Sequence, residues 1–164
     1  MNKLMKVEPA THEKANKHKE WKNAMLEEYQ SVMKNDVWEI VPRLKDKLVV
    51  TSKWVYKIKH VVDGSIDKYK ARFVTRGFSQ KEGIDFEENF APIAKYTTIR
   101  YLISIAETMG RNILKMDVKI VVLNGTIDAE VYMEQPQGFK VHFKEIHVCW
   151  LKKALYGLKQ SPRA

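Results

Sequence analysis

Cysteine is almost missing. The 164 residues hold one, Cys149, which excludes an internal disulfide framework and a four-cysteine zinc ribbon. That usage fits a reducing, intracellular location. The seven glycines are scattered, and none forms the glycine-rich loop that cradles phosphates in nucleotide-binding turns. No apolar run reaches the roughly 18 residues that span a bilayer. The N-terminus, Met1-Asn2-Lys3-Leu4-Met5-Lys6-Val7-Glu8-Pro9, has no apolar h-region, so neither secretion nor a membrane partner is expected. Acids are in deficit, with 20 Asp and Glu against 29 Lys and Arg, a net charge of +9. Such a surplus points to a polyanionic partner and says nothing about fold. Hydrophobic residues make up 45%, enough for a core and too many for a disordered chain.

The positive charge is local. Arg43 to Lys81 holds eleven Lys and Arg against three Asp, so it carries +8 of the +9. The same stretch reads as a β-hairpin. Lys53-Trp-Val-Tyr-Lys-Ile-Lys-His60 alternates, Asp63-Gly64 follows, and Ile66 to Arg76 alternates again. Asp-Gly between alternating runs is a strong hairpin signal. With Asp63-Gly64 as a two-residue turn, Val62 faces Ser65, Lys59 faces Lys68 and Lys57 faces Lys70. Trp54, Tyr56 and Ile58 then face Phe73, Ala71 and Tyr69 on the apolar side. The other side carries Lys53, Lys57, Lys59, Lys68, Lys70, Arg72 and Arg76 with no acid. Like charges directly opposite destabilise a sheet by up to about 1 kcal/mol per pair. A phosphate-binding face explains that arrangement. The plainer alternative is an exposed hairpin surface with a basic bias.

Elsewhere the pattern is mixed. Glu13 to Lys34 reads as one amphipathic helix with Trp21, Ala24, Met25, Tyr29, Val32 and Met33 on a stripe, stopped at Asn35. Val37 to Val41 reads as a strand ended by Pro42. Gly77 to Lys95 reads as a long loop pinned by Phe78, Phe86 and Phe90. A helix capped by Thr97 or Thr98 would carry Ile99, Leu102, Ile103, Ala106 and Met109 and close at Gly110. Ile113 to Asp117 reads as a central strand, Asn124-Gly125 as a tight turn, and Val131–Met133 and Val148–Leu151 as further strands. Ser161-Pro162 reads as a helix start, so the chain is expected to be cut from something longer. The order of elements predicts an α+β fold.

Few constellations suggest chemistry. Asp117 ends a buried-looking strand and is either a metal ligand or a turn former. Asp128, Glu130 and Glu134 are possible companions. His142, His147 and Cys149 lack a fourth ligand and the usual zinc spacing. Cys149 has no nearby base in sequence.

Taken together, many ordered motifs are familiar. They include Trp21-Lys-Asn-Ala-Met25, Lys53-Trp-Val-Tyr-Lys57, Lys68-Tyr-Lys-Ala-Arg-Phe-Val74 and Gly77-Phe-Ser-Gln80. Ile84-Asp-Phe-Glu-Glu-Asn-Phe-Ala-Pro92, Met116-Asp-Val-Lys119, Leu123-Asn-Gly125, Val131-Tyr-Met-Glu-Gln-Pro136 and Leu151 to Ala164 follow. From about Glu8 onward the chain resembles the N-terminal part of the reverse transcriptase of copia-type LTR retrotransposons. The resemblance implies a partial right-hand polymerase. Residues 1–12 would be a tail, 13–111 a fingers-like region with the hairpin at 53–76, and 112–164 the start of a palm.

The resemblance also implies roles. The complete enzyme adds deoxynucleotides to a primer on an RNA or DNA template, with two Mg²⁺ (or Mn²⁺) ions. Asp117 matches the first metal-binding aspartate, with the Val118 carbonyl beside it. Lys70 and Arg72 match residues that clamp the incoming dNTP. Tyr156 and Gly157 match the floor of the nucleotide pocket, and Ser161 and Pro162 the segment that steadies the template. Lys53, Lys57, Lys59, Lys68 and Arg76 would meet nucleic acid. Val122 stands where the family places an aromatic that gates against a ribose 2′-OH. The partners implied are template-primer, dNTP and the remainder of a Pol polyprotein. The family's later Asp-Asp pair is not among these residues, so a chain inactive by itself is expected. The alternatives are a non-catalytic basic nucleic-acid-binding module and the product of a decayed element.

Overall fold

A computed structural model of the chain describes residues 7–83, 86, 94–114, 116 and 121–162. The first helical stretch is two helices, not one. Helix α1 (His12–Ala15) is capped by Thr11, whose hydroxyl accepts the Lys14 N–H at 3.3 Å. The chain then tightens, with Lys17 N–H on Lys14 O and His18 N–H on Ala15 O. Asn and His are poor interior helix residues, and α2 (Lys19–Lys34) starts anew after them. It buries Trp21, Ala24, Met25 and Val32, while Met33 is left exposed. Asn35 caps its C-terminus, and Asp36 follows at φ +50 to turn the chain into β1 (Trp38–Val41).

Two sheets are described. The first has the order β1, β6 (Val148–Leu151), β5 (Tyr132–Glu134), β2 (Val49–Val50), with β2 parallel to β5 and the other pairs antiparallel. The second is the hairpin of β3 (Ser52–His60) and β4 (Ile66–Thr75). Its register matches the expected pairs from Trp54–Phe73 to Lys59–Lys68. The turn differs. Gly64, at φ +80, donates its N–H to Val61 O, and Val61 pairs with Ser65, so the loop has one more residue than expected. Beyond it His60 faces Ile66, and the register shifts before Lys59–Lys68. Asp67 is the residue without a partner, and this bulge restores the pairing that the alternation demands.

An aromatic seam joins the hairpin, α2 and the larger sheet. Phe73 meets Trp54 and Trp38 at 5.1 and 5.8 Å between centroids, and Trp21 meets Tyr56 and Tyr69 at 5.3 and 4.9 Å. Phe139 bridges Trp54 and a stacked Tyr29 at 4.5 Å. The buried core runs from Ala15 to Leu158 and so has members on both sides of residue 111. Glu8 accepts the outward Ile58 N–H of β3 at 2.9 Å, and Glu28 accepts the outward Phe73 N–H of β4 at 3.4 Å.

Other expectations need correction. Helix α3 (Tyr96–Thr108) starts after Lys95, so Thr97 and Thr98 lie inside its first turn. It closes at Gly110 (φ +60), with Gly110 N–H on Glu107 O and Arg111 N–H on Ala106 O, a Schellman ending. None of its residues is buried. Residues 112–114 and 116 form no strand, and Ile113, Leu114 and Met116 are exposed. A central strand needs a ladder on both sides, and among the described residues none pairs there. Short helix α4 (Val121–Asn124) comes before the turn at Gly125. Phe86 is buried, Phe78 is not, and Phe90 lies outside the described residues. Ser161 and Pro162 lie in a turn.

Phe73→Ala should cost about 3–5 kcal/mol, because the ring is fully buried where the seam crosses between sheets. Urea denaturation of the two chains measures the difference.

Candidate nucleic-acid interface

The alternation of β3 and β4 sends Lys53, Lys57, Lys59, Lys68, Arg72 and Arg76 to one exposed face, with Lys70 half-buried among them. Burial lowers the Lys70 pKa first, and the neighbouring charges of Arg72 and Lys59 add to that. The face is not free of acid. Helix α2 brings Glu27 to within 3.0 Å of Lys68. It also brings Glu28 beside β4, where burial raises the carboxyl pKa against the opposing pull of the Phe73 N–H, Arg72 and Lys70. A groove of ≈ 310 Å³ separates α2 from the hairpin here, lined by Glu27, Glu28, Lys59, Lys68 and Lys70. These two acids lie far from the hairpin in sequence, so its own pattern could not reveal them.

The end of β4 is fastened to a distant loop. Thr75 donates its backbone N–H (2.8 Å) and its hydroxyl (3.0 Å) to the Tyr156 carbonyl. The Arg72 guanidinium lies over the Tyr156 ring, 4.8 Å from its centroid. Gly157 sits at φ +93, and a Cβ there would meet Thr75 O at 2.2 Å. A Cβ on Gly77 would meet Gly157 O at 2.1 Å. Gln80, itself buried, accepts the Lys159 N–H at 2.9 Å and donates to Gln160 Oε1 at 3.1 Å. Ser161 is buried, and its hydroxyl donates to Leu155 O at 2.5 Å, while Pro162 is exposed. Arg72, Tyr156 and Gly157 are thus gathered at the Thr75 end of the hairpin, with Lys70 further along β4 beside Glu28. Thr75, Gly77 and Gln80 hold them there, and sequence reasoning missed all three. The run Gly77-Phe-Ser-Gln80 was the available signal.

A family model described as reverse transcriptase (RNA-dependent DNA polymerase) matches residues 35–164. The chain belongs to the reverse transcriptase family. It is 46% identical over 140 residues to the retrovirus-related Pol polyprotein from transposon TNT 1-94 of Nicotiana tabacum. That match covers 85% of this chain and 10% of the polyprotein. It is 40% identical over 158 residues to the corresponding polyprotein from transposon RE1 of Arabidopsis thaliana, covering 96% of this chain and 11% of the relative. The chain therefore spans about a tenth of the length of these relatives. The expected resemblance to copia-type elements is met. No solved structure matches the chain.

Reverse transcriptases generally use Mg²⁺ in the full enzyme. Asp117 and Val118, matched to the family's metal site, lie outside the described residues. Among the described residues no three His, Cys, Asp or Glu side chains converge to hold a metal. Glu130 is engaged by Lys47 and by the Tyr132 hydroxyl, which together hold its carboxyl below the usual range. His142 pairs with Glu145 at 3.6 Å. Cys149 is buried, which pushes its thiol up to about 12. Val122 is half-buried in α4, and its carbonyl accepts the Gly125 N–H at 3.3 Å.

A carboxyl with a raised folded pKa supports folding while protonated, and that support is lost as pH rises through the folded value. Glu28→Gln is neutral at every pH and keeps an acceptor for Phe73 N–H. Relative to the parent, this variant should gain stability as pH climbs from acid through and above the usual glutamate range. Urea midpoints measured across pH test this, and a difference independent of pH would contradict it.

Proposed function

We propose that this chain forms the fingers and the opening of the palm of a reverse transcriptase within a larger Pol polyprotein. In this reading residues 13–111 supply the fingers, and their basic hairpin grips the phosphates of dNTP and template-primer. Residues 112–164 begin the palm in a partial right-hand polymerase fold. The observation that carries the reading is the Arg72–Tyr156 contact, fastened by Thr75. It joins the segment that the resemblance matches to the dNTP clamp and the one it matches to the floor of the nucleotide pocket.

The chemistry follows from the cations. Lys70 loses hydration in its half-buried place, and an arriving phosphate would repay that loss by supplying a counter-charge. Arg72 is oriented by the Tyr156 ring, so its planar fork needs little ordering when it meets an oxygen pair. In the complete enzyme Asp117, with the Val118 carbonyl, would help hold the Mg²⁺ that assists nucleotidyl transfer. Asp117 is the one residue here matched to the family's metal-binding carboxylates. For this chain alone we therefore propose binding without polymerisation. Ser161, with its hydroxyl already bound to Leu155 O, shapes the template-side loop, and exposed Pro162 offers the contact.

A duplex primer-template carrying a fluorophore should bind with log K falling linearly against log salt. Changing Lys57, Lys70 and Arg72 together to Glu should weaken binding and flatten the slope by roughly 0.9 for each phosphate no longer neutralised. Anisotropy titrations read both quantities. Unchanged affinity in the triple variant would overturn the reading.

A further inference from the structure

We propose that Phe78 is a stacking platform for an unpaired base of a single-stranded template. The proposal rests on the reading of the hairpin as a nucleic-acid interface and adds a contact to the base itself. Read from sequence, Phe78 pins a loop; in the structure its ring is 79% exposed. Two of the other exposed rings have companions. Phe143 has the His142 ring at 3.9 Å, and Tyr96 has the Arg100 guanidinium at 5.9 Å. Among the described residues neither a ring nor a cation is placed against Phe78.

The backbone that presents it is firmly held. Phe78 sits in a 3₁₀ turn, Gly77–Ser79. Ser79 donates its N–H and its hydroxyl to Arg76 O at 3.1 and 2.8 Å, and Gln80 N–H closes on Gly77 O at 3.1 Å. On one side Gly77 abuts the Gly157 backbone, where no side chain fits. On the other, Gln80 is committed to Lys159 and Gln160. A ring carried on such a turn costs little ordering when a flat ligand arrives.

Position and surroundings select the ligand. Exposed Arg76 precedes the turn at the end of the basic strand, and Gly157 adjoins Tyr156 beneath Arg72. The ring's chain neighbours that reach the surface, Arg76, Ser79, Lys81 and Glu82, are all polar. An exposed ring of this kind suits a π-face joined to an anionic backbone better than an apolar protein patch. Stacking accepts any base, so the contact adds affinity without sequence preference.

The test uses the whole chain and two fluorescein-labelled RNA strands of equal length, one with bases and one abasic. Phe78→Ala should weaken binding of the base-bearing strand by about 5- to 150-fold, with Phe78→Tyr and Phe78→Trp retaining affinity. The abasic strand should bind parent and Phe78→Ala alike, and the salt slope should not change. Equal loss on both strands, or no loss on either, would overturn the proposal. Salt-dependent binding that ignores Phe78 sinks this inference alone. Absence of any binding by the parent chain sinks the hairpin reading with it. Circular dichroism of each variant confirms that the exposed substitution leaves the fold intact.

Discussion

Two backbones touch at Gly77 and Gly157 where no side chain can enter, and the candidate site depends on that contact. It lets β4 run close enough to the 155–162 loop for Thr75 to donate twice to one carbonyl. The carbonyl belongs to Tyr156, so its ring comes to lie under Arg72. A methyl group at either glycine would press on a carbonyl oxygen at little more than 2 Å. The loop would then have to retreat, and the tyrosine with it. Chemistry at this place is therefore set by a steric condition on main-chain atoms, some distance from the cations that would do the binding.

Electrostatics at the hairpin is a balance between two elements. Strand alternation crowds seven cations onto one face, which repel each other across the ladder. Helix α2 answers with Glu27 and Glu28. Glu27 makes an exposed pair with Lys68, worth little on its own. Glu28 is the more consequential, because it stands in a partly buried place and also occupies an outward amide of β4. An anion docking on Lys70 and Arg72 would enter a field that this carboxylate already shapes.

Much of this is legible in the residues, for physical reasons. The hairpin pairing from Trp54 to Lys59 is readable because one face has to be apolar, and a slip of one residue would reverse every side chain. The turn is harder to read because Asp-Gly suits both two- and three-residue loops, and only the bulge at Asp67 tells them apart. The seam around Phe73 is half visible: the strand partners can be paired, but Trp38 and Phe139 come from far away in sequence. The expected single long helix is two because apolar period survives a short break at Asn16–His18. The strand expected at Ile113–Asp117 rests on apolar content alone, which does not supply neighbours. Of the site, the cations, Tyr156 and Gly157 can be named from their motifs, while the run Gly77-Phe-Ser-Gln80 marks Gln80 without showing what it holds, and nothing marks Thr75. Their roles arise from hydrogen bonds to a loop about eighty residues away.

The small sheet has two outer edges, and each offers one of its amides to a carboxylate rather than to water. Glu8 takes the Ile58 N–H, and Glu28 takes the Phe73 N–H. A foreign strand seeking to extend the ladder would have to expel a negatively charged group from either side and would meet a row of lysines on the way. Short, β-prone runs such as Trp54–Ile58 are the kind that template fibrils when left open. Here the same acids that help seat the N-terminal segment and α2 also close off that route to amyloid growth.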